Sequence, residues 1–236
     1  MLKLKWMKSY LSERSQRVRL NDLLSEPLTV KSGVPQGSHL GPVLFNVFIN
    51  DLTVSIKYCK YLLYADDMKI FGTVNDENDT LQIQEDLNQV SIWCKKNHMY
   101  LNISKCNIIS FSKKNDMVLF DYSIENVPVK RTNSINDLGI TVDSKLNFKD
   151  HIDKIINNGR RVFGFIKRRS YEFKDPYIIK SLYCSLVRST LEYGSVVWNM
   201  MGSTDTARVE SIQKQFFTVC TKKPWVEERY FCVALI

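Results

Sequence analysis

Residues 58 to 71 read YCKYLLYADDMKIF: two apolar stretches, YLLY and MKIF, flank a bare pair of carboxylates, Asp66 and Asp67. The pattern predicts a β-hairpin with both acids at its tip. Neighbouring like charges repel, and neither Asn-Gly nor Asp-Gly is present to make a tight primed turn. One reading is an ordinary solvated tip, because Asp is common in turns. The other is a platform for a hard divalent cation. Mg²⁺ takes oxygen ligands, commonly one or two carboxylates with waters and substrate phosphates, and its charge offsets the repulsion between the acids. The hairpin alone leaves both readings open.

The surrounding segments mix helices with antiparallel hairpins. Residues 2–13 read as a helix and 15–31 as a hairpin. SGVPQGSHLGP (32–42) is a Gly- and Pro-rich loop, and VLFNVFINDL (43–52) reads as a mostly buried helix with Pro42 at its start. The clearest amphipathic helix is NDENDTLQIQEDLNQVSIWCKKNHM, with acids in its first turns, bases in its last, and a stripe of Ile83, Leu87, Val90 and Cys94. Short strands are expected at YLNI, NIISFS, VLFDYSI and DLGITVD between 100 and 143, then helices over 149–171, 176–199 and 205–222. With a boundary near 148, the fold class is α+β over 1–148, followed by an all-helical domain over 149–236.

The chain is long enough for one large or two small domains with a real core, and 44% hydrophobic and 11% aromatic content excludes disorder. Its net charge is +8, a balance that favours an acidic partner, nucleic acid first. Residues 149–236 hold 15 Lys and Arg against 9 Asp and Glu, whereas residues 1–148 hold 18 against 16. The densest cluster is RRVFGFIKRR at 160–169, where Arg160, Arg161, Lys167, Arg168 and Arg169 interleave with aromatics. A solvated helix face is its plainer reading. The six cysteines form no C-x-x-C pair and do not cluster with the three histidines, an arrangement unlike a zinc site and suited to reduced thiols in an intracellular protein, nuclear or cytoplasmic. Neither a secretory signal nor a membrane-spanning run is seen.

YADD at 64–67 resembles the active-site box of reverse transcriptases. SGVPQGSHLGPVLFNVFINDL (32–52) resembles the box that precedes it in retrotransposon enzymes, and WCKKNHMYLNISKCNIISFS (93–112) the box that follows. INDLGITVD (135–143) resembles the segment that holds the primer end. HIDKIINNGRRVFGFIKRR and LYCSLVRSTLEYGSVVW resemble the helical thumb of the jockey-like, non-long-terminal-repeat group. Four boxes in order are far more specific than any one. The resemblance implies a partial palm, packed as antiparallel hairpins on helices, followed by a thumb-like domain. It implies RNA-directed DNA polymerase activity, with two Mg²⁺ ions in a complete enzyme, an RNA template, a DNA primer and deoxynucleoside triphosphates.

Residue by residue, it implies that Asp66 and Asp67 ligate metal. Tyr64 lies beside the primer terminus and Ala65 near the incoming nucleotide. Gln36 and Gly37 line the template and nucleotide pocket. Lys105 stands near the leaving pyrophosphate as a proton donor. Leu138 and Gly139 grip the primer. Plainer roles stand beside these: packing for Tyr64 in addition to contact, a turn glycine at 37, a solvated lysine at 105. The family pattern also has a third carboxylate on an earlier palm strand. Of the acids before Ser32, Glu13 ends a polar helix, Asp22 sits in a turn and Glu26 precedes a proline, and none has that setting. The expectation is a C-terminal part of a polymerase that starts within the palm, ends abruptly at PWVEERYFCVALI, and is inactive alone. A non-catalytic nucleic-acid-binding remnant is the alternative. Viral RNA-directed RNA polymerases also carry an acidic hairpin, but VPQGSHLGP fits them poorly.

Overall fold

A computed structural model describes residues 2–112, 118–170, 175–199 and 202–221. The expected abrupt end at PWVEERYFCVALI, Tyr171 of the expected 149–171 helix and Lys222 of the 205–222 helix lie outside them. The chain mixes helix and strand, and its contacts group into two compact units. Met1–Cys106 with Val118–Val129 form unit 1; Asn107–Met117 with Lys130–Ile236 form unit 2.

Unit 1 opens with α1 (Leu2–Leu11), then β1 (Arg14–Gln16), β2 (Arg19–Leu20), β3 (Leu23–Leu24) and β4 (Leu28–Val30). The outer strands β1 and β4 pair antiparallel, as do β2 and β3, so the expected 15–31 hairpin is present in two short pairings. Helix α2 (Gly41–Asn50) carries Pro42 in its first turn, where the missing N–H costs nothing, and runs into a 3₁₀ turn over Asp51–Ser55. The expectation of a mostly buried helix here is corrected: Val43, Val47 and Phe48 are exposed, while Ile49 and, from the following turn, Leu52 are buried in the core with Phe45 packed against them. Strands β5 (Lys60–Tyr64) and β6 (Asp67–Phe71) form the acidic hairpin.

Helix α3 (Glu77–Lys96) is the spine of this unit. The side chain of Asp76 caps it by accepting the N–H of Asp79. Its Val90, Trp93 and Cys94 join Ile49 and Leu52 in a buried cluster, with Met68 and Ile70 of β6 packed against them. The expected strand at YLNI is absent: residues 99–102 are irregular and Ile103–Lys105 make a 3₁₀ turn. The β-hairpin β8 (Ser123–Ile124) and β9 (Val127–Pro128) returns to α3, where Gln84 both donates to the carbonyl of Ser123 and accepts its N–H.

Unit 2 begins with β7 (Asn107–Ile108), paired in parallel with β10 (Lys130–Arg131). Next come the hairpin β11 (Ser134–Asp137) and β12 (Ile140–Asp143), and the long helix α4 (Lys149–Arg169). The Asp143 carboxylate accepts the N–H groups of Lys145, Asn147 and Phe148, which turns the chain from β12 into α4. The stretch expected as one helix over 176–199 is broken. It comprises α5 (Pro176–Leu182), a π-helical turn over Tyr183–Arg188, α6 (Ser189–Glu192) and α7 (Ser195–Trp198), interrupted at Tyr193 and Gly194, where Gly194 takes φ +64°. A left-handed residue cannot continue a right-handed helix. Helix α8 (Ser203–Thr221) closes the unit. Ile156, Val187, Ile212 and Phe216 are fully buried between α4, the π turn and α8, and Tyr183 stacks on Phe216 at 4.1 Å. Ile140 belongs to this core and Val142 packs on it, so the β11–β12 hairpin groups with the helices that follow residue 148.

Candidate functional site

Strands β5 and β6 pair from Lys60↔Phe71 to Tyr64↔Asp67, which leaves Ala65 and Asp66 as a two-residue loop. Of the two, only Ala65 has positive φ, at +52°. That places alanine where a type II′ turn prefers glycine, and explains how a tight hairpin forms without Asn-Gly. Tyr64, Ala65, Asp66 and Asp67 are all exposed. Strand alternation gives the reason: Met68 and Ile70 pack on the core, so Tyr64 and Asp67, one residue out of phase with them in the paired register, lie on the other face. Tyr64 is 66% exposed and does not pack into the hairpin core as the apolar flanks suggested. Among the described residues, neither Asp66 nor Asp67 has an ion-pair partner, so both negative charges are left uncompensated at one tip.

The hairpin is held at its base by a residue that no motif singles out. Asp86, on α3, is fully buried. Its carboxylate accepts the backbone N–H groups of Lys57 and Tyr58 at 2.9 Å and of Cys59 at 2.7 Å, the three residues just before β5. Burial raises the carboxyl's pKa, but the N–H groups of Lys57, Cys59 and Tyr58 and the Cys59 thiol outweigh it and hold the group below its ordinary value. The Cys59 thiol is pushed up to about 12 by burial and by its hydrogen bond and proximity to Asp86. The one available clue is position: Asp86 falls between Ile83 and Val90 on the apolar stripe of α3, where an acid needs buried partners.

Gln36 and Gly37 are the central residues of an exposed turn in which the N–H of Ser38 donates to the carbonyl of Pro35 at 3.4 Å. Gly37 has φ +78°, the glycine position of a type II turn, so its turn role is real whatever else it contacts. Ser38 donates to the Pro35 carbonyl and accepts the N–H of Gly41, fixing this turn to the start of α2. Lys105 is exposed and ends the 3₁₀ turn that follows α3. All of these residues belong to unit 1.

Leu138 and Gly139 form the two-residue loop of the β11–β12 hairpin, with φ of +46° and +89°. Positive φ at both positions marks a type I′ turn. The Tyr193 hydroxyl donates to the Leu138 carbonyl at 2.9 Å, and a Cβ at Gly139 would lie 3.1 Å from the Tyr193 ring. A Cβ at Gly194 would lie 2.5 Å from Cδ1 of Ile140. Each glycine therefore makes room for a side chain of the other's segment. Trp198 donates to the Tyr193 carbonyl at 2.8 Å and closes the connection. On α4, Arg160, Arg161, Lys167, Arg168 and Arg169 are all exposed, while Ile152, Ile155, Ile156, Phe163 and Ile166 fill the buried face. Both sets of unit 2 residues lie on one unit.

Among the described residues, no three His, Cys, Asp or Glu side chains group to hold a metal ion, and no helix is long and apolar enough to cross a membrane. The acidic tip thus offers two protein oxygen donor groups. That number suits Mg²⁺, which completes its shell with waters and phosphates.

The family model described as "Reverse transcriptase (RNA-dependent DNA polymerase)" matches residues 1–142. Over 229 residues the chain is 29% identical to "Probable RNA-directed DNA polymerase from transposon X-element" of Drosophila melanogaster, an alignment covering 93% of this chain and 25% of that protein. It is 28% identical over 233 residues to "Probable RNA-directed DNA polymerase from transposon BS" of the same organism, with the same coverage. To "RNA-directed DNA polymerase from mobile element jockey" of Drosophila melanogaster it is 25% identical over 231 residues, again covering 93% and 25%. The chain spans about a quarter of the length of these curated relatives. No solved structure matches it.

Proposed function

Because the chain belongs to the reverse transcriptase family, whose model covers residues 1–142, we propose that it is the palm- and thumb-bearing part of a jockey-like retrotransposon polymerase, with its nucleotidyl-transfer site at the β5–β6 tip. The observation that carries this is the uncompensated pair Asp66 and Asp67 on a hairpin whose base is locked by buried Asp86. Residues 1–148 act as the palm part and 149–236 as the thumb.

Asp66 and Asp67 hold Mg²⁺. When bound, the metal supplies positive charge against the charge that gathers on the attacking oxygen and the leaving pyrophosphate. The protein's own groups position the strands. Exposed Tyr64 and Ala65 meet the primer terminus and the nucleotide, and the Gln36–Gly37 turn offers open backbone to the template. Lys105 gives a proton to the pyrophosphate. The Leu138–Gly139 turn grips the primer, and the exposed bases of α4 take phosphates of the duplex. Two carboxylates on one tip make one side of a two-metal clamp, so extension needs a further carboxylate from an adjoining palm strand.

Mn²⁺ titrated into the full chain with an RNA–DNA primer–template, followed by electron paramagnetic resonance, tests the metal role. Asp66→Asn is expected to weaken binding by about tenfold or more. Extension of the primer is expected after fusion to a relative's palm segment, lost again in Asp66→Asn, and absent from the 236-residue chain alone. Equal Mn²⁺ binding by both chains removes the assigned role of Asp66. Unaided extension removes the need for another carboxylate. Salt-dependent binding without extension in the fused protein favours a nucleic-acid-binding remnant, a reading that the exposed bases of α4 also support.

A further inference from the structure

Unit 2 has an open groove of about 380 Å³, lined by Gly139 of the β11–β12 turn, by His151, Lys154, Ile155 and Asn158 of α4, by Ser189 and Thr190 of α6, and by Tyr193. We infer that this groove binds one ribose–phosphate unit of a nucleic-acid strand and favours RNA over DNA there. The inference rests on the reading that unit 2 holds nucleic acid, and adds a site and a sugar preference to it.

Size and charge set the ligand class. The volume lies at the small end of ligand sites, near that of a single nucleotide unit. None of the lining residues is acidic, and Lys154 brings an ammonium group. The Asn158 carbonyl oxygen already accepts from Arg161 at 3.1 Å, which orients the amide and leaves its nitrogen to donate. A lysine and an amide N–H together recognise a phosphate oxygen.

The two α6 residues have the reverse polarity. The Thr190 hydroxyl donates to the Leu186 carbonyl at 2.9 Å, and the Ser189 hydroxyl donates to the carbonyl of Ser185. Both have spent their hydrogens on the helix, so what remains at each oxygen is acceptor capacity. An acceptor pair lining the same groove as a phosphate site calls for a ligand that carries a hydroxyl donor beside its phosphate. A ribose 2′-hydroxyl is such a donor and deoxyribose lacks it. Tyr193 also lines the groove. Its ring is held by the bond to Leu138 and by the close approach of Gly139, so a stacking surface is present without an ordering cost on binding.

The test titrates the full chain, by fluorescence anisotropy, with a labelled RNA oligonucleotide and the DNA of the same sequence over a range of salt. The wild type is expected to bind RNA about fivefold more tightly, the worth of one net hydrogen bond. Ser189→Ala combined with Thr190→Val removes the acceptors and is expected to erase that preference while leaving DNA affinity unchanged, which also shows the variant is folded. Lys154→Gln is expected to weaken both ligands and to lower the salt slope by about one. Equal wild-type affinity for both sugars, or a preference that survives in the double variant, overturns the inference and leaves the nucleic-acid reading of unit 2 intact. Displacement of the RNA by excess free AMP assigns the groove to a mononucleotide and overturns the strand as its occupant. Salt-independent or absent binding of both oligonucleotides overturns the reading of unit 2, and the inference with it.

Discussion

Asp86 receives the backbone N–H of Cys59 at 2.7 Å, the shortest of three such bonds from consecutive residues to one carboxylate. The two residues lie on different elements, α3 and the segment entering β5. The bond therefore sets where the acidic hairpin starts relative to the helix that supports it. Asp86 lies at the hairpin's base and not at its tip, where Asp66 and Asp67 stand.

Asp86→Ala is expected to destabilise the protein by about 3 kcal/mol or more, because three buried N–H groups lose their acceptor together. Asp86→Asn is expected to lose less, since an amide oxygen still accepts, though without charge. Urea unfolding of the two variants checks the order. Equal midpoints for wild type and Asp86→Ala would refute the anchoring role.

The same carboxylate predicts acid lability. Its folded pKa is lowered, so the unfolded chain takes up the proton first as the pH drops. The stabilisation is full above about pH 4 and is lost as the pH falls through the folded value. Unfolding midpoints measured at descending pH should fall more steeply for wild type than for Asp86→Asn.

His151 predicts a second, milder window. Burial, then the charge of Lys154, pulls its pKa below the ordinary 6.5, and its Nδ1 accepts the N–H of Thr141 at 3.2 Å. The folded protein keeps this ring neutral while the unfolded chain protonates it. Stability is therefore full above about pH 6.5 and declines as the pH falls below it. His151→Asn keeps an acceptor near the Nδ1 position and cannot titrate, so its midpoint should stay flatter between pH 7 and pH 5.

Ala65→Gly is expected to stabilise the hairpin by roughly 0.5–1 kcal/mol. Left-handed backbone costs an alanine about 1–2 kcal/mol, and glycine returns part of that gain through its greater unfolded-state entropy. Ala65→Val should destabilise, because a β-branched residue tolerates φ of +52° poorly. Thermal unfolding of both variants decides the matter.

Gly194→Ala meets two obstacles, φ of +64° and the nearby Cδ1 of Ile140. Ile140→Val deletes that methyl group. A double-mutant cycle is expected to show coupling, with the pair less destabilised than the sum of the singles by about 1 kcal/mol. Strict additivity would mean the two segments do not interlock.

Much of the fold is legible where local signals and tertiary packing agree. The acid-first, base-last pattern and the stripe ending at Cys94 place α3 to within a residue or two, and the two acids fall at a hairpin tip as their flanks require. Leu138 and Gly139, by contrast, read as part of a DLGITVD strand and instead form the turn between β11 and β12. The sequence misleads where composition stands in for pairing. YLNI has strand-like residues but no partner, and TLEYGSVVW has helical periodicity across a glycine at φ +64° packed against Ile140. Helix α2 reads as buried because it is apolar all round, yet Val43 and Val47 remain exposed. Asp86 is hidden because an acid on an acidic helix looks solvated; its place on the apolar stripe is the one local clue, and its partners at 57–59 are distant in sequence.

Neither compact unit is contiguous in the chain. After Cys106 the polypeptide enters unit 2 with β7, returns to unit 1 at Val118–Val129 to dock β8 and β9 on α3, and leaves again at Lys130 to pair β10 with β7. During synthesis, then, emergence of residue 106 does not complete the first unit, since Gln84 still awaits Ser123. When Val129 has emerged and that unit can close, β7 is still without β10. The two bodies are therefore completed in an interleaved order during synthesis, and a protease that nicks the chain once at a crossing between them leaves them joined by two covalent connections.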